Sequence, residues 1–295
     1  MALLTRAGNI TEAWVDLLNG IMIGGDTSAP RGKATKELLN VSIEIEHGLN
    51  NIILSEDRDL NYRFMIAEWL WIQAGMNDVE SLARYNKMMR KFSDDGAILN
   101  GAYGPRLATQ WEYILESLLK PASRQAVSTI WTPSPQDSKD IPCTISLQWL
   151  LRWDKLHCTV NMRSSDAWLG LPYDYFTFSQ LTNVLASRLR VPVGTITMNL
   201  ASSHLYEENW HEAVSVCVGN VGYLSSPPIP YGVQLPTKVD TIMMLNQVQR
   251  EYPNSFHLYA KALKRSKIKA LEVLRAIDPF KQKGLLSSDV ETSGS

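Results

Sequence analysis

The sequence predicts a single α+β domain. Three observations carry this: stretches of helical and of alternating apolar spacing are interspersed along the chain, no internal repeat is present, and no shift in composition marks a linker. At 295 residues the chain can bury a sizeable core, and 45% hydrophobic with 20% charged residues is ordinary for a soluble globular protein. A net charge of −1 gives no global field to recruit nucleic acid or an acidic membrane surface, so a phosphate would need a local cluster of Arg. The three cysteines, Cys143, Cys158 and Cys217, are odd in number and lack CxxC spacing; no disulfide framework and no metal site is expected, and a reducing cytoplasm fits. The N-terminus MALLTRAGNITEAW lacks a signal-peptide pattern, and no apolar run reaches bilayer length.

Taken in order, Ile10 to Met22 has helical apolar spacing (Ala13, Trp14, Leu17, Leu18, Ile21) and stops at Gly24-Gly25. Asp26 to Lys36 is a polar loop holding Pro30-Arg31-Gly32-Lys33, and Glu37 to Glu46 alternates as a strand. Arg63 to Gln73 is a buried helix, Asp94 to Arg106 a loop and Leu107 to Leu119 a helix that ends before Pro121. Arg124 to Trp131 and Cys143 to Trp153 read as strands joined by the Pro- and Ser-rich Thr132 to Asp140, with a third strand at Leu156 to Met162. Tyr175 to Leu189 is a helix, Thr195 to Leu200 a strand and Lys261 to Ile277 a helix, and the Ser-rich tail from Leu285 is expected to be disordered, leaving residues 1–284 as the domain.

The chemistry-bearing residues concentrate in one stretch. Pro142-Cys143 is followed by Arg163-Ser164-Ser165-Asp166 and then by Leu169-Gly170-Leu171-Pro172-Tyr173-Asp174: a thiol, a cation-and-hydroxyl anion clamp and carboxylates. A thiolate is a strong nucleophile once nearby cations lower its pKa, and Arg holds phosphate through a planar fork. Covalent attack on a phosphorylated small molecule is therefore expected. A lone strand Cys is more often a buried structural thiol; the polar group behind Cys143 is what singles it out. Glu68, in MIAEWLWI, has too little polar stripe around it for an ordinary surface residue and reads as a buried functional acid. Arg31, Arg124 and Arg163 are singly unremarkable surface cations but jointly suit a phosphate, and His204 and Tyr206 share a strand face.

These pieces resemble the thymidylate synthase family from Arg31 to about Trp210. PCTISLQW, MRSSDAWLGLPYD and SSHLY are similar, in order and spacing, to the family's Pro-Cys-His, Gln-Arg-Ser-x-Asp-x-x-Leu-Gly-x-Pro-Phe-Asn and Asp-x-His-x-Tyr motifs. Glu68-Trp69-Leu70-Trp71 resembles the helix with the catalytic glutamate, and Gly101-Ala102-Tyr103-Gly104 the Pro-x-Tyr-Gly loop. The resemblance implies an α+β sandwich, a mixed sheet with flanking helices, dimerising through the sheet face. It implies that Cys143 adds to C6 of a pyrimidine nucleoside monophosphate and that 5,10-methylenetetrahydrofolate is the cofactor. Glu68 would organise water and move protons; Arg31, Arg163 and Ser164 would hold the phosphate, with the partner subunit's Arg124. Ser165 and Tyr103 join the substrate-binding set, His204 and Tyr206 would bind the sugar, and Asp166 would contact the pterin near Trp71 and Gly170.

The departures matter most. Asp174 stands where the family motif has Asn. Uracil offers N3–H and O4, which an Asn amide matches; cytosine offers N3 as acceptor and N4–H₂ as donor, which an Asp holding or sharing a proton matches. The wrong base would leave buried groups unpaired. Asp174 thus resembles the deoxycytidylate hydroxymethylases of phages and related cytidylate enzymes, implying water capture to a 5-hydroxymethylcytosine nucleotide. DNA modification in a host cytoplasm, or antibiotic nucleoside synthesis, would be its use. Thr144, Met162, Gln125 and Ser202 also differ from the family pattern. The alternatives are a CMP or dUMP enzyme, a non-catalytic nucleotide- or RNA-binding relative, and a thiol hydrolase pairing Cys143 with His157 or His211.

Overall fold

The computed structural model describes residues 3–55, 57–133 and 137–231, with the backbone alone at position 31. The chain divides into Met1–Ile242 and Met243–Ser295, and all described residues belong to the first unit. The helix expected at Lys261 to Ile277 and the tail from Leu285 lie outside the described residues.

The elements run β1 (Leu4–Ala7), α1 (Ile10–Gly24), β2 (Asp26–Ser28), β3 (Thr35–Ile45), β4 (Ile52–Ser55), α2 (Tyr62–Gln73), α3 (Val79–Ala83), α4 (Tyr103–Ala108), α5 (Trp111–Leu119), β5 (Val127–Thr129), β6 (Thr144–Arg152), β7 (Lys155–Met162), β8 (Ser165–Asp166), α6 (Leu171–Leu189), β9 (Val193–Tyr206), α7 (Trp210–Val218) and β10 (Val221–Leu224). The main sheet follows β1-β3-β9-β7-β6-β5, with β2 beside β3 and β8 beside β9; β4 and β10 form a separate pair. It is mixed: β1/β3 and β7/β9 are parallel, whereas β3/β9, β6/β7 and β5/β6 are antiparallel. The expected α+β architecture is the observed one.

One face of this sheet forms the core. Ile43, Ile45, Leu147, Trp149, Val160, Ile196 and Met198 alternate inward along their strands and are buried. Helix α6 lies in that core, buried from Leu171 through most of its length, and packs on α2 and β7. Its interior hydroxyls bond locally: Thr182 donates to Phe178 O at 2.8 Å and accepts the Trp149 indole N–H at 3.1 Å. Helix α1 is capped by Asn9, whose Oδ1 takes the Glu12 N–H at 3.0 Å, and its apolar face packs on β3 and α7. The opposite sheet face carries half-buried polar side chains.

Several boundaries differ from the sequence reading. The helix expected over Leu107 to Leu119 is two helices that break at Thr109-Gln110, where the Gln110 side chain accepts the Thr129 N–H and donates to its carbonyl, each at 2.9 Å, and donates to Arg106 O at 2.7 Å. The expected loop from Asp26 holds β2 and a short 3-10 turn, and α6 begins at Leu171, four residues before the expected start at Tyr175, with Pro172 in its first turn.

Candidate active site

A bulge starts the site. Between Thr144 and Ser146 the β6/β7 register slips, so Ile145 is the extra residue, and its carbonyl instead takes the N–H groups of Ile130 and Trp131. Such a bulge re-aims the side chains beside it. Cys143 lies at this kink, half-buried.

Arg163, just past β7, is tied to the cysteine loop. Its Nε donates to Pro142 O at 2.9 Å and its Nη2 to Ile141 O at 3.1 Å, while Nη2 stands 3.9 Å from the Cys143 sulfur. Trp131 lies under the guanidinium at 5.8 Å. Tyr103, on the first turn of α4, accepts from Thr144 Oγ1 at 3.0 Å and lies stacked along Phe178. Burial, and then the charges of Asp174 and Cys143, hold its phenol pKa well above the ordinary value.

The carboxyls converge from two helices and a short strand. Glu68 projects from α2 and Asp174 from the first turn of α6; both are enclosed by protein yet keep partial solvent access, as groups lining a cleft do. Burial, then the charge of Asp174, pushes Glu68 up to about 8. Burial, then Asp166, pushes Asp174 up to about 7. The repulsion falls on Glu68 because Asp174 gives up its proton first, while Glu68 is still neutral. Asp166 Oδ1 is fixed by the N–H groups of Trp168 at 2.8 Å and Leu169 at 2.7 Å, and burial still raises its pKa.

One expectation fails here. Nearby cations were to lower the Cys143 pKa, but burial and then Asp174 raise it above the ordinary thiol value, and Arg163 offsets only part of this. Without a ligand the sulfur is held as a thiol.

The remaining predicted residues fall as follows. Ser164 Oγ is 3.5 Å from His204 Nδ1, and the His204 ring meets Tyr206 edge-on at 5.3 Å. Strand β8 pairs with β9 so that Asp166 stands level with His204 and Ser165 with Ser203. Ser165 is buried, turned by strand alternation to the opposite side from Asp166. Gly170 opens α6, where a Cβ would come within 3.4 Å of Asp174 Oδ2. Trp71 is buried and donates its indole N–H to Asp78 O at 3.1 Å. Arg124 is exposed just before edge strand β5, apart from this cluster within one chain. Arg31 lies on the 3-10 turn before β3. His157, on β7, accepts the backbone N–H of Thr195 on β9 at its Nδ1, at 3.1 Å. Sequence reasoning missed Arg58 and the Tyr173 hydroxyl; SEDRDL reads as a solvated charged loop, and nothing in it signals a buried guanidinium.

A half-buried thiol at the start of an interior strand of a mixed sheet, with a clamped arginine and carboxyls around it, defines a candidate thiol-centred nucleophile site in an α+β domain. The thymidylate synthase profile matches residues 12–266, and the chain belongs to the thymidylate synthase family. It is 34% identical over 248 residues to the deoxyuridylate hydroxymethyltransferase of Bacillus phage SP01, covering 77% of this chain and 62% of that protein's length. It is 32% identical over 168 residues to the deoxyuridylate hydroxymethyltransferase of Pseudomonas phage M6, covering 53% of this chain and 48% of that one. A putative thymidylate synthase of Methanosarcina acetivorans is 28% identical over 220 residues, 73% of this chain and 95% of its own. Among solved structures, the thermostable thymidylate synthase A from Bacillus subtilis superposes with a TM-score of 0.62 at 21% identity, over 72% of this chain and 86% of that one, which shows the common fold. No helix among the described residues is long and apolar enough to cross a membrane.

Proposed function

We propose that this chain hydroxymethylates C5 of a cytosine nucleoside monophosphate, dCMP ahead of CMP, with 5,10-methylenetetrahydrofolate. The observation that carries the reading is Asp174, which keeps a proton to about 7 beside Cys143 at the position where the family motif has Asn.

A carboxylic acid can face either pyrimidine, so the location of the proton decides. Cytosine N3 has a lone pair that can take it, which turns the contact into a charge-assisted pair of carboxylate and protonated base. Uracil N3 already carries hydrogen and offers no such site. Protonation at N3 draws electrons from C6, where the Cys143 sulfur adds. It also screens Asp174, the charge that opposes the thiolate. Arg163 and Ser164 hold the phosphate with Arg31, and His204 and Tyr206 meet the sugar. Glu68, neutral at pH 7, keeps water and protons in order around the ring.

The residues present fit the cofactor. Asp166 commits Oδ1 to two backbone N–H groups, leaving Oδ2 to accept from the pterin, and Gly170 supplies side-chain-free backbone beside it. Trp71 contributes an apolar wall, since its N–H is already bonded. When bound, the folate supplies a one-carbon unit at the oxidation level of formaldehyde. The balance is nucleotide plus methylenetetrahydrofolate plus water, giving hydroxymethyl nucleotide plus tetrahydrofolate.

The second reading is a uracil nucleotide substrate, favoured by the names of the two phage relatives. Release of tritium from C5 of dCMP, CMP and dUMP separates the two, and product mass distinguishes hydroxymethyl from methyl. Release from dUMP alone would overturn the cytosine reading. Cys143→Ser should abolish release and keep nucleotide binding, since the oxygen is a far weaker nucleophile.

A further inference from the structure

The two helices that carry Glu68 and Asp174 are joined at their first turns by a residue outside the reactive cluster. Tyr173, immediately before Asp174, accepts the backbone N–H of Asn61 on its hydroxyl at 2.9 Å. Asn61 is the N-cap of α2, its Oδ1 taking the Phe64 N–H at 3.0 Å, and its Nδ2 donates to Tyr85 O at 2.8 Å. The Tyr173 ring packs edge-on against Phe64 of the same helix at 5.5 Å. The hydroxyl therefore ties the start of α6 to the start of α2.

Arg58 completes the arrangement. It is only 9% exposed, and its Nε and Nη2 donate to Trp168 O at 3.2 and 3.1 Å while Nη1 donates to Asp59 O at 3.0 Å. Its guanidinium lies over the rings of Trp168, at 5.3 Å, and Tyr173, at 6.0 Å. Trp168 belongs to the turn whose N–H groups fix Asp166, so one buried cation joins the Asp166 turn to the Tyr173 ring. A buried guanidinium is costly to desolvate, and its bonds to two carbonyls and its aromatic faces are what offset that cost. Tyr173 feels it: burial raises the phenol pKa, and Arg58 opposes the rise.

We propose that Tyr173 and Arg58 are positioning residues that fix the separation of the Glu68 and Asp174 carboxyls and the aim of Asp166. This deepens the function above and rests on it for its kinetic consequence, but the clamp itself is a statement about three carboxyls. Loosening it lets α2 and α6 part at the cleft, which weakens the repulsion between Glu68 and Asp174 and leaves the base less well held against Cys143.

The test uses the full chain and the variants Tyr173→Phe, Arg58→Lys and Arg58→Met. The first readout is substrate-free: carboxyl titration by carbon-13 NMR with labelled Asp and Glu. Tyr173→Phe, which keeps the ring, should bring the Glu68 and Asp174 titrations closer together, and Arg58→Met should raise that of Asp166, with Arg58→Lys between. The second readout is C5 tritium release, with kcat falling roughly tenfold in Tyr173→Phe and nucleotide Kd within about twofold of wild type. Titrations and kcat unchanged in Tyr173→Phe would overturn the clamp. A wild-type protein that releases no tritium from any pyrimidine nucleotide would defeat the proposed function and leave the titrations to decide the clamp. If a variant is poorly folded, the Arg58→Lys titration at low temperature decides the same question.

Discussion

Asp174 and Glu68 make the folded protein unusual in its response to pH. Unfolded, both carboxyls ionise near their ordinary values of 3.8 and 4.5; folded, they hold protons to about 7 and about 8. Between those limits the folded state binds more protons than the unfolded one, so stability falls as pH rises from about 4 to about 8 and then levels. Asp174→Asn and Glu68→Gln remove this. Each variant should match wild type near pH 4 and exceed it at pH 8, by roughly 1 kcal/mol or more. The difference in Tm between variant and wild type is the readout, because His157, held below its ordinary value by burial, pulls the other way near pH 6. Variants that lose stability at pH 8 would mean that the carboxyls are ionised in the fold. In the same Asp174→Asn protein, the ratio of kcat/KM for the cytosine over the uracil nucleotide should fall by at least about a hundredfold, since an amide matches uracil and strands cytosine. An unchanged ratio counts against recognition of the base by Asp174.

At the scale of elements, the site depends on how closely α4 meets α2. A Cβ on Gly104 would lie 2.8 Å from Met76 O and 3.0 Å from Ile72 O and Met76 N, all backbone atoms that cannot swing away. Gly104→Ala should therefore lift α4 off the end of α2, carrying Tyr103 away from Thr144, with about 1–3 kcal/mol lost and activity reduced. Gly24→Ala, at the end of α1 with nothing within 4 Å of the new methyl, is the control and should leave both unchanged. Denaturant midpoints and tritium release measure the pair. The elements that sequence patterning located, α1, β3, β6 and β7, are long or strongly alternating, so their periodicity outweighs context. Strands β1, β4 and β10 are too short to show a period, and α7, in WHEAVSVCV, hides among polar neighbours. The ordered motifs likewise marked Cys143, Arg163 and Asp174, because short-range spacing is preserved in sequence. The electrostatic sense of the thiol was not legible: it depends on Asp174 and Asp166 converging with Asp140 on one sulfur, a property of packing alone.

At the scale of the molecule, one face of the main sheet carries no covering layer among the described residues. Across it runs a ladder of side-chain hydrogen bonds, Ser42 to Asn199 at 3.0 Å, Asn199 to Asn161 at 3.1 Å and Asn161 to Ser146 at 3.1 Å, linking β3, β9, β7 and β6. Polar groups satisfied sideways in this manner can be covered without being orphaned, which suits a second copy of the chain against the proposed dimer face. Arg124 fits the same arrangement: it lies exposed at the β5 edge, away from its own cysteine cluster, and is proposed to serve the partner's phosphate. Mixing two damaged proteins tests this. Cys143→Ser lacks the nucleophile, and Arg124→Ala lacks the phosphate contact. In a mixed dimer one site combines an intact Cys143 with the partner subunit's Arg124, while the other site lacks both. Random pairing at equal amounts makes about a quarter of all sites whole, so co-refolded protein should recover about that share of wild-type tritium release. Recovery no greater than the mean of the two parents, in protein shown by sedimentation to be dimeric, would place Arg124 outside the partner's site.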